Sequence, residues 1–251
     1  MSRRHVVVVG GAGAIGRGIV AALAADGVRV SVADLDQPAG APDPSDILPG
    51  THVVALDVTD REAVLAALGP RPGVGSYDAL VFAAGTNCTG PVASTDWSAY
   101  ERVMAVNLRG AFHVGQALAL NLEAAPRPCS AVFLSSTAGL RGEGGASVYA
   151  ASKFGVRGFV ECLASEVAAF GGRVNSVCPG NIDSPMLRTL AAQVAEREQV
   201  GTEAMLRQFA DATAFGRLIG IDEVAAVVAF LAGDGSTGMS GQTVVVDGPP
   251  R

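Results

Sequence analysis

Val6-Val7-Val8-Val9-Gly10-Gly11-Ala12-Gly13-Ala14-Ile15-Gly16-Arg17 reads as a strand, a glycine-rich turn and the first turn of a helix. A continuous valine run suits a parallel strand covered on both faces. Glycines in the turn permit positive φ and let backbone approach a bound group closely. The free N–H groups and positive dipole of the following helix favour an anion there, so Gly10, Ala12, Gly13, Ala14, Ile15 and Gly16 form a candidate pyrophosphate cradle. A tight turn without ligand would use the same residues. Its place directly after the first strand of an α/β pattern strengthens the ligand reading.

Outward from this turn the pattern repeats. Short β-branched runs at His5 to Val9, Arg29 to Ala33, His52 to Ala55, Ala79 to Ala83, Ala131 to Ser135, Arg173 to Cys178 and Thr243 to Val246 predict seven strands. Helical stretches follow from Ile15, Asp60, Ser98, Ser147 and Ile221. This alternation predicts an α/β fold: one doubly wound parallel seven-stranded sheet with helices on both faces, in one domain over residues 1–251. The Pro/Gly-rich stretches Gln37 to Gly50 and Gly69 to Ser76 read as surface loops, and no internal repeat is found. Residues 184–215 break the rhythm with helical pattern and no strand: Leu187, Leu190 and Val194 share one face, as do Met205, Leu206 and Phe209. A helical lid over a ligand would sit there, and an ordinary packing excursion is the alternative.

Composition narrows the partners. A length of 251 residues that are 49% hydrophobic, with a net charge of -6, argues against nucleic acid or an anionic membrane surface. No apolar run approaches the roughly 20 residues of a membrane span, and the start of the chain does not read as a cleaved signal peptide. Cys88, Cys129, Cys162 and Cys178 show no metal spacing and read as reduced thiols of a cytoplasmic protein. His5, His52 and His113 lie far apart, so no metal site is expected.

The second strand ends at Asp34, 18 residues past Gly16, and Leu35 follows. A carboxylate there accepts hydrogen bonds from ribose hydroxyls and repels a 2′-phosphate. No basic residue lies inside the turn, and Arg17 just after it is expected to face solvent. The expected cofactor is therefore NAD, not NADP.

Lys153 is the only lysine; the other 17 basic residues are arginine. It lies four residues after Tyr149 in Tyr149-Ala150-Ala151-Ser152-Lys153, on one helix face. A compact ammonium beside a phenol favours the phenolate, whereas a guanidinium is a wide fork. Bringing a phenol from its usual pKa of about 10 down to about 7 to 8 takes about 3 to 4 kcal/mol of differential stabilisation. Burial opposes this, so a polar or wet site is expected. Ser136, at the end of a strand 13 residues before Tyr149, is placed to donate to a substrate carbonyl oxygen. Ser135 competes for that role but reads as structural.

Here the chain resembles the short-chain dehydrogenase/reductase family over essentially its whole length. The resemblance is carried by the Ser136 to Tyr149-x-x-x-Lys153 spacing, the glycine turn, Asp57-Val58, Val106-Asn107-Leu108, and Pro179-Gly180-Asn181-Ile182-Asp183-Ser184. It implies that Tyr149 is the general acid/base, that Lys153 lowers its pKa and holds the nicotinamide ribose, and that Ser136 polarises the reacting oxygen. Asn107 would hold a water in a proton relay reaching Lys153. Asp57 and Val58 would flank the adenine, and Ala84 and Gly85 would pass the adenosine ribose. Pro179, Gly180, Ile182 and Ser184 would anchor the nicotinamide amide. A homo-oligomer, most often a tetramer, is implied too. The chain departs from the family pattern at Val9 (usually threonine), Ala14 and Pro249 (usually glycine), and at Phe82-Ala83, where Asn-Asn is common.

The leading expectation is an NAD(H)-dependent oxidoreductase that interconverts a secondary alcohol and its ketone, with a small-molecule substrate. Ala138, Leu140, Arg141, Glu143, Gly144, Met186 and Leu187 are expected to line the crevice. Arg141 and Glu143 would meet polar groups, which favours a polyol, sugar or hydroxylated ring. The alternatives are a 3-oxoacyl thioester reductase, a lyase or epimerase on the same scaffold, and a regulator that senses NAD without turnover.

Overall fold

Alternating side chains along β1 (His5–Val9) feed two separate cores. Val6 and Val8 pack with Ile19, Val20 and Leu23 of α1 (Ala14–Ala25). Val7 and Val9 face the opposite way, toward Val114, Leu118, Val156 and Val160. All four valines are buried, and full burial of such a side chain contributes roughly 1.5–3 kcal/mol. The valine run is therefore what a two-sided sheet requires. The computed structural model describes residues 4–35, 52–70 and 77–249. The expected loop 37–50 and the 71–76 part of the second expected loop lie outside the described residues.

The remaining strands are β2 (Arg29–Asp34), β3 (His52–Ala55), β4 (Ala79–Phe82), β5 (Cys129–Leu134), β6 (Gly172–Pro179) and β7 (Thr243–Val246). Together they form one seven-stranded sheet in the order β3-β2-β1-β4-β5-β6-β7, every pairing parallel. The helices are α2 (Arg61–Leu68), α3 (Trp97–Met104), α4 (Gly110–Ala124), α5 (Ser147–Val167), α6 (Pro185–Glu198), α7 (Thr202–Asp211) and α8 (Ile221–Ala232). One core lies under α4 and α5, the other under α1 and α8.

The single helix predicted from Ser98 is longer and less regular than its sequence suggests. Asp96 caps α3, accepting from the Ser98 N–H at 3.3 Å. A π-helical turn, Ala105–Arg109, then joins α3 to α4 with helical backbone on both sides. Such turns insert one residue into a helix and re-aim the side chains around it, often at functional sites.

The order of the sheet positions the site. β1 leads outward through β2 to β3, while β4 begins the run to β7 on the other side. Ligands in sheets of this type lie beyond the carboxyl ends of the strands at this switch point. Over the same edge stand α6 and α7, with a small core of their own: Leu187, Ala191, Ala195, Met205 and Leu206, joined by Leu190, Val194 and Phe209. The faces predicted for residues 184–215 are the ones buried. Ser184 caps α6 by accepting from the Leu187 N–H at 3.3 Å, and Pro185 opens the helix.

Candidate active site

The glycine turn is shaped by contact between β1 and β4. Gly10 has φ +82°, and a Cβ there would stand 2.3 Å from the backbone N of Ala84. A Cβ on Gly16 would stand 2.1 Å from the carbonyl oxygen of Gly10. Only glycine fits either place. Gly13 is the N-cap of α1 and provides no side-chain cap. The first turn of the helix thus keeps open N–H groups beside a positive dipole end, as an anionic diphosphate requires.

Asp34 closes the adjacent strand. Its Oδ2 accepts the Ala12 N–H and its Oδ1 the Leu35 N–H, both at 2.8 Å. A carboxylate has about four lone-pair sites, so ribose hydroxyls still find acceptors. The Leu35 side chain is exposed. Arg17 differs from expectation: its Nε donates to the Ala12 carbonyl at 2.6 Å, so it folds over the turn rather than into solvent. Val58 is buried against α4, where a Cβ on Gly110 would meet it at 2.8 Å. Exposed Asp57 accepts from the N–H and hydroxyl of Thr59, each at 2.8 Å. These residues fit a dinucleotide with adenosine toward Asp34 and diphosphate on the turn.

At the ends of β4 and β5 the structure brings together Asn107, Ser136, Tyr149 and Lys153. A Cβ on Gly85 would stand 3.5 Å from Asn107 Oδ1 and 3.6 Å from Lys153 Nζ. Lys153, 4% exposed, donates to the Leu134 carbonyl at 2.9 Å. Its ammonium lies 5.7 Å from the centre of the Tyr149 ring. Ser136 lies close enough to the Tyr149 hydroxyl to lower its pKa, and its Oγ accepts the Ala138 N–H at 3.1 Å. Ser135 instead donates to the Lys153 carbonyl at 2.9 Å, tying α5 to β5, so it is structural.

Asn107 sits on the π-helical turn, fully buried. Its Oδ1 accepts from the Thr86 N–H at 2.8 Å, and its Nδ2 donates to the Thr86 carbonyl and to Ser152 Oγ at 2.9 and 3.0 Å. It pins the loop after β4 against α5.

The electrostatics differ from the sequence expectation. Burial pushes the Tyr149 phenol above its usual value; the hydrogen bond to Ser136 lowers it, and the Cys178 thiolate form would raise it. Burial also brings Lys153 down to about 8, against a smaller opposing pull from Cys178. The protein groups alone therefore leave desolvation in control of both.

These groups open into a cavity of about 370 Å³. Ile182, Ser184, Pro179 and Gly180 line it from β6 outward. The expected substrate contacts Ala138, Arg141, Glu143, Gly144, Met186 and Leu187 line it too, whereas Leu140 does not. A wider hollow of about 930 Å³ along α3, α4 and α5 holds none of these groups, so size alone misplaces the site. Sequence reading missed Asn87, Cys88, Thr89, Arg197, Thr213 and Asp247, which also wall the cavity. No residue pattern marks them; the fold alone gathers them. Thr213 is notable because its hydroxyl is buried with no hydrogen-bond partner among the described residues, an arrangement that costs about 1–3 kcal/mol.

Residues 10–248 match the sequence pattern of a family described as enoyl-(acyl carrier protein) reductase. The chain is 34% identical to a 2-dehydro-3-deoxy-L-rhamnonate dehydrogenase (NAD(+)) of Sphingomonas sp. (strain SKA58), covering 92% of this chain and 88% of the relative. It is 30% identical to a sorbitol dehydrogenase of Cereibacter sphaeroides, covering 98% and 96%. The crystal structure of sorbitol-6-phosphate 2-dehydrogenase from Erwinia amylovora superposes with a TM-score of 0.88 at 28% identity, over 97% and 98% of the two chains.

Proposed function

The chain belongs to the short-chain dehydrogenase/reductase family, and from that premise we propose an NAD(H)-dependent oxidoreductase that interconverts a secondary alcohol and its ketone on a small polar substrate. The observation that carries this reading is the gathering of Ser136, Tyr149 and Lys153 on one cavity wall, beside a glycine turn built for a diphosphate. The relatives named above act on sugar acids and polyols, which supports the substrate class. When bound, NAD supplies the hydride acceptor for oxidation, and NADH the donor for reduction.

In this reading Tyr149 takes the hydroxyl proton of the alcohol, or returns it to the ketone, while Ser136 donates to the same oxygen and fixes its position. Lys153, held by the Leu134 carbonyl, places a cation beside the phenol and the nicotinamide ribose. Asn107 holds the loop after β4 in place, and the remaining lone pair of its Oδ1, beside Gly85 and Lys153, is where a relay water would bond. Asp34 and Leu35 frame the adenosine ribose, with Asp57 and Val58 at the adenine and Ala84 and Gly85 along the ribose. Pro179, Gly180, Ile182 and Ser184 frame the nicotinamide. The carboxylate of Asp34 favours NAD over NADP. Residues 1–251 form one domain in which 184–215 act as the substrate lid.

Assembly as a homotetramer follows the family resemblance, and an interface between copies would cover the hollow along α3, α4 and α5, where Phe112 is 50% exposed. Among the described residues no helix is long and apolar enough to cross a membrane, and the thiols are unpaired, which fits a cytoplasmic enzyme.

A panel of secondary alcohols with NAD, read at the NADH absorbance, tests the function. Tyr149→Phe is expected to lower turnover by about 10²- to 10⁴-fold and to leave NADH binding in place. Undiminished turnover in that variant would overturn the assignment.

A further inference from the structure

We infer that the substrate is a small hydroxy acid, a polyhydroxylated carboxylic acid whose carboxylate lies against Arg197 while its secondary alcohol lies at Tyr149 and Ser136. This deepens the oxidoreductase reading above and rests on it.

Arg197 lies in the last turn of α6 and reaches back into the cavity. Its Nη1 and Nη2 both stand 3.5 Å from where a Cβ on Gly145 would be, a few residues before Tyr149. Its one ion pair among the described residues is at Nε, 3.5 Å from exposed Glu198. The Nη1/Nη2 edge, the planar fork that binds a carboxylate in bidentate fashion, carries no hydrogen bond to a described residue. The side chain is 36% exposed, so the fork is partly desolvated yet reachable. Attraction to an anion is stronger in such a setting than in open water.

Charge around the cavity points the same way. The chain carries a net charge of -6, yet the cavity wall holds Arg141, Lys153 and Arg197 against two carboxylates, Glu143 and Asp247. Asp247 is partly engaged: its Oδ1 accepts the Gly248 N–H at 2.9 Å, and its carboxyl stands where a Cβ on Gly180 would be. No ion pair joins Glu143 to either arginine among the described residues. A single arginine fork with Glu143 nearby suits one negative charge better than the dianion of a phosphate ester. In the oxidation the carbinol C–H leaves as hydride to NAD and the O–H proton passes to Tyr149. The products are the oxo acid, NADH and a proton released to solvent.

The test uses matched sets of one chain length: a sugar acid, the neutral polyol and its phosphate ester, each assayed with NAD on the full-length protein. The acid is expected to have the highest kcat/KM. In Arg197→Gln its KM is expected to rise about 10- to 100-fold, the range for losing a charged hydrogen bond, with kcat within a few-fold, and Arg197→Lys should fall between. Preference for the polyol or the phosphate ester, or an equal KM rise for acid and polyol in Arg197→Gln, overturns the inference and leaves the oxidoreductase reading standing. If no member is oxidised, that reading fails instead. The melting temperature with NADH then decides the anion site: a rise caused by the acid and lost in Arg197→Gln supports it, and no rise overturns it.

Discussion

The two walls of the cavity are built by different means. The wall at the ends of β1, β4 and β5 stands on strands whose side chains are buried on both faces, so each position is fixed by neighbours on two sides. The opposite wall is made of α6 and α7, which pack chiefly on each other around five buried side chains. The first wall sets chemistry and the second sets choice. A residue on the strand side is constrained by backbone contacts that allow almost no alternative, as at Gly10 and Gly16. A residue on the helical side, such as Arg197 or Met186, is constrained less: Met186 is 47% exposed, and Arg197 is held by an ion pair to exposed Glu198. Opening of the helical wall also requires less of the core to separate, since local stability follows local burial.

The strongest way to break this contrast is at Lys153. Lys153→Met is expected to cut turnover by about 10²- to 10⁴-fold, yet not to lower the melting temperature. The folded pKa of about 8 lies below the ordinary 10.5, so folding disfavours the charged amine. The unfolded chain then binds the extra proton between those values, and stability rises with pH across that window. Below pH 8 the full penalty, about 3 kcal/mol, stands against the folded state. Methionine removes it and leaves the Leu134 carbonyl short of one donor, which costs about 1–3 kcal/mol and at most offsets the gain. Melting curves from pH 7 to 10.5 should show the slope in the wild type and lose it in the variant.

Next is the strand wall itself. Gly10→Val places a β-branched side chain at φ +82° and against the Ala84 backbone. Strain of about 1–3 kcal/mol, with the clash added, is expected to lower both NADH affinity and melting temperature, read by fluorescence titration and calorimetry. Asp34→Ser should act on affinity alone, moving the ratio of kcat/KM for NAD over NADP by about 10-fold toward NADP, or 1.4 kcal/mol. The smallest effect on catalysis belongs to the helical wall. Leu206→Ala empties part of the five-residue core, so amide exchange should quicken in α6 and α7 and substrate KM should rise a few-fold. Exchange in β1 and β4, and the Kd for NADH, should stay at wild-type values.

The same contrast governs what the sequence discloses. Three strands, His5–Val9, His52–Ala55 and Thr243–Val246, end where the β-branched runs end; the first is buried on both faces, whereas the other two are the sheet's edge strands, largely exposed or half-buried, and are marked by β-branched composition rather than by burial. The others differ by one or two residues at their ends. The gathering of Ser136, Tyr149 and Lys153 follows from strand ends and helical spacing. Three features were not legible. The π-helical turn at Ala105–Arg109 has no periodicity of its own; the resemblance marks Asn107 for a relay, but nothing in the sequence shows the burial and three hydrogen bonds that fix it. Arg17 reaches the Ala12 carbonyl through a side-chain conformation that sequence does not encode. The raised Tyr149 pKa reflects burial by segments distant in sequence, which outweighs the lowering by Ser136; the neighbouring charge that spacing reveals is not among its causes. Arg197, Thr213 and Asp247 belong to the same class, since they meet only in the folded chain.

A crystal structure of the chain with NADH tests the central claim most directly. The account predicts the diphosphate on the N–H groups of the turn after Gly10, the adenosine ribose on Asp34, and the nicotinamide ring beside Tyr149 with its ribose on Lys153. A dinucleotide bound elsewhere, or a nicotinamide ring turned away from the Tyr149 hydroxyl, would contradict it.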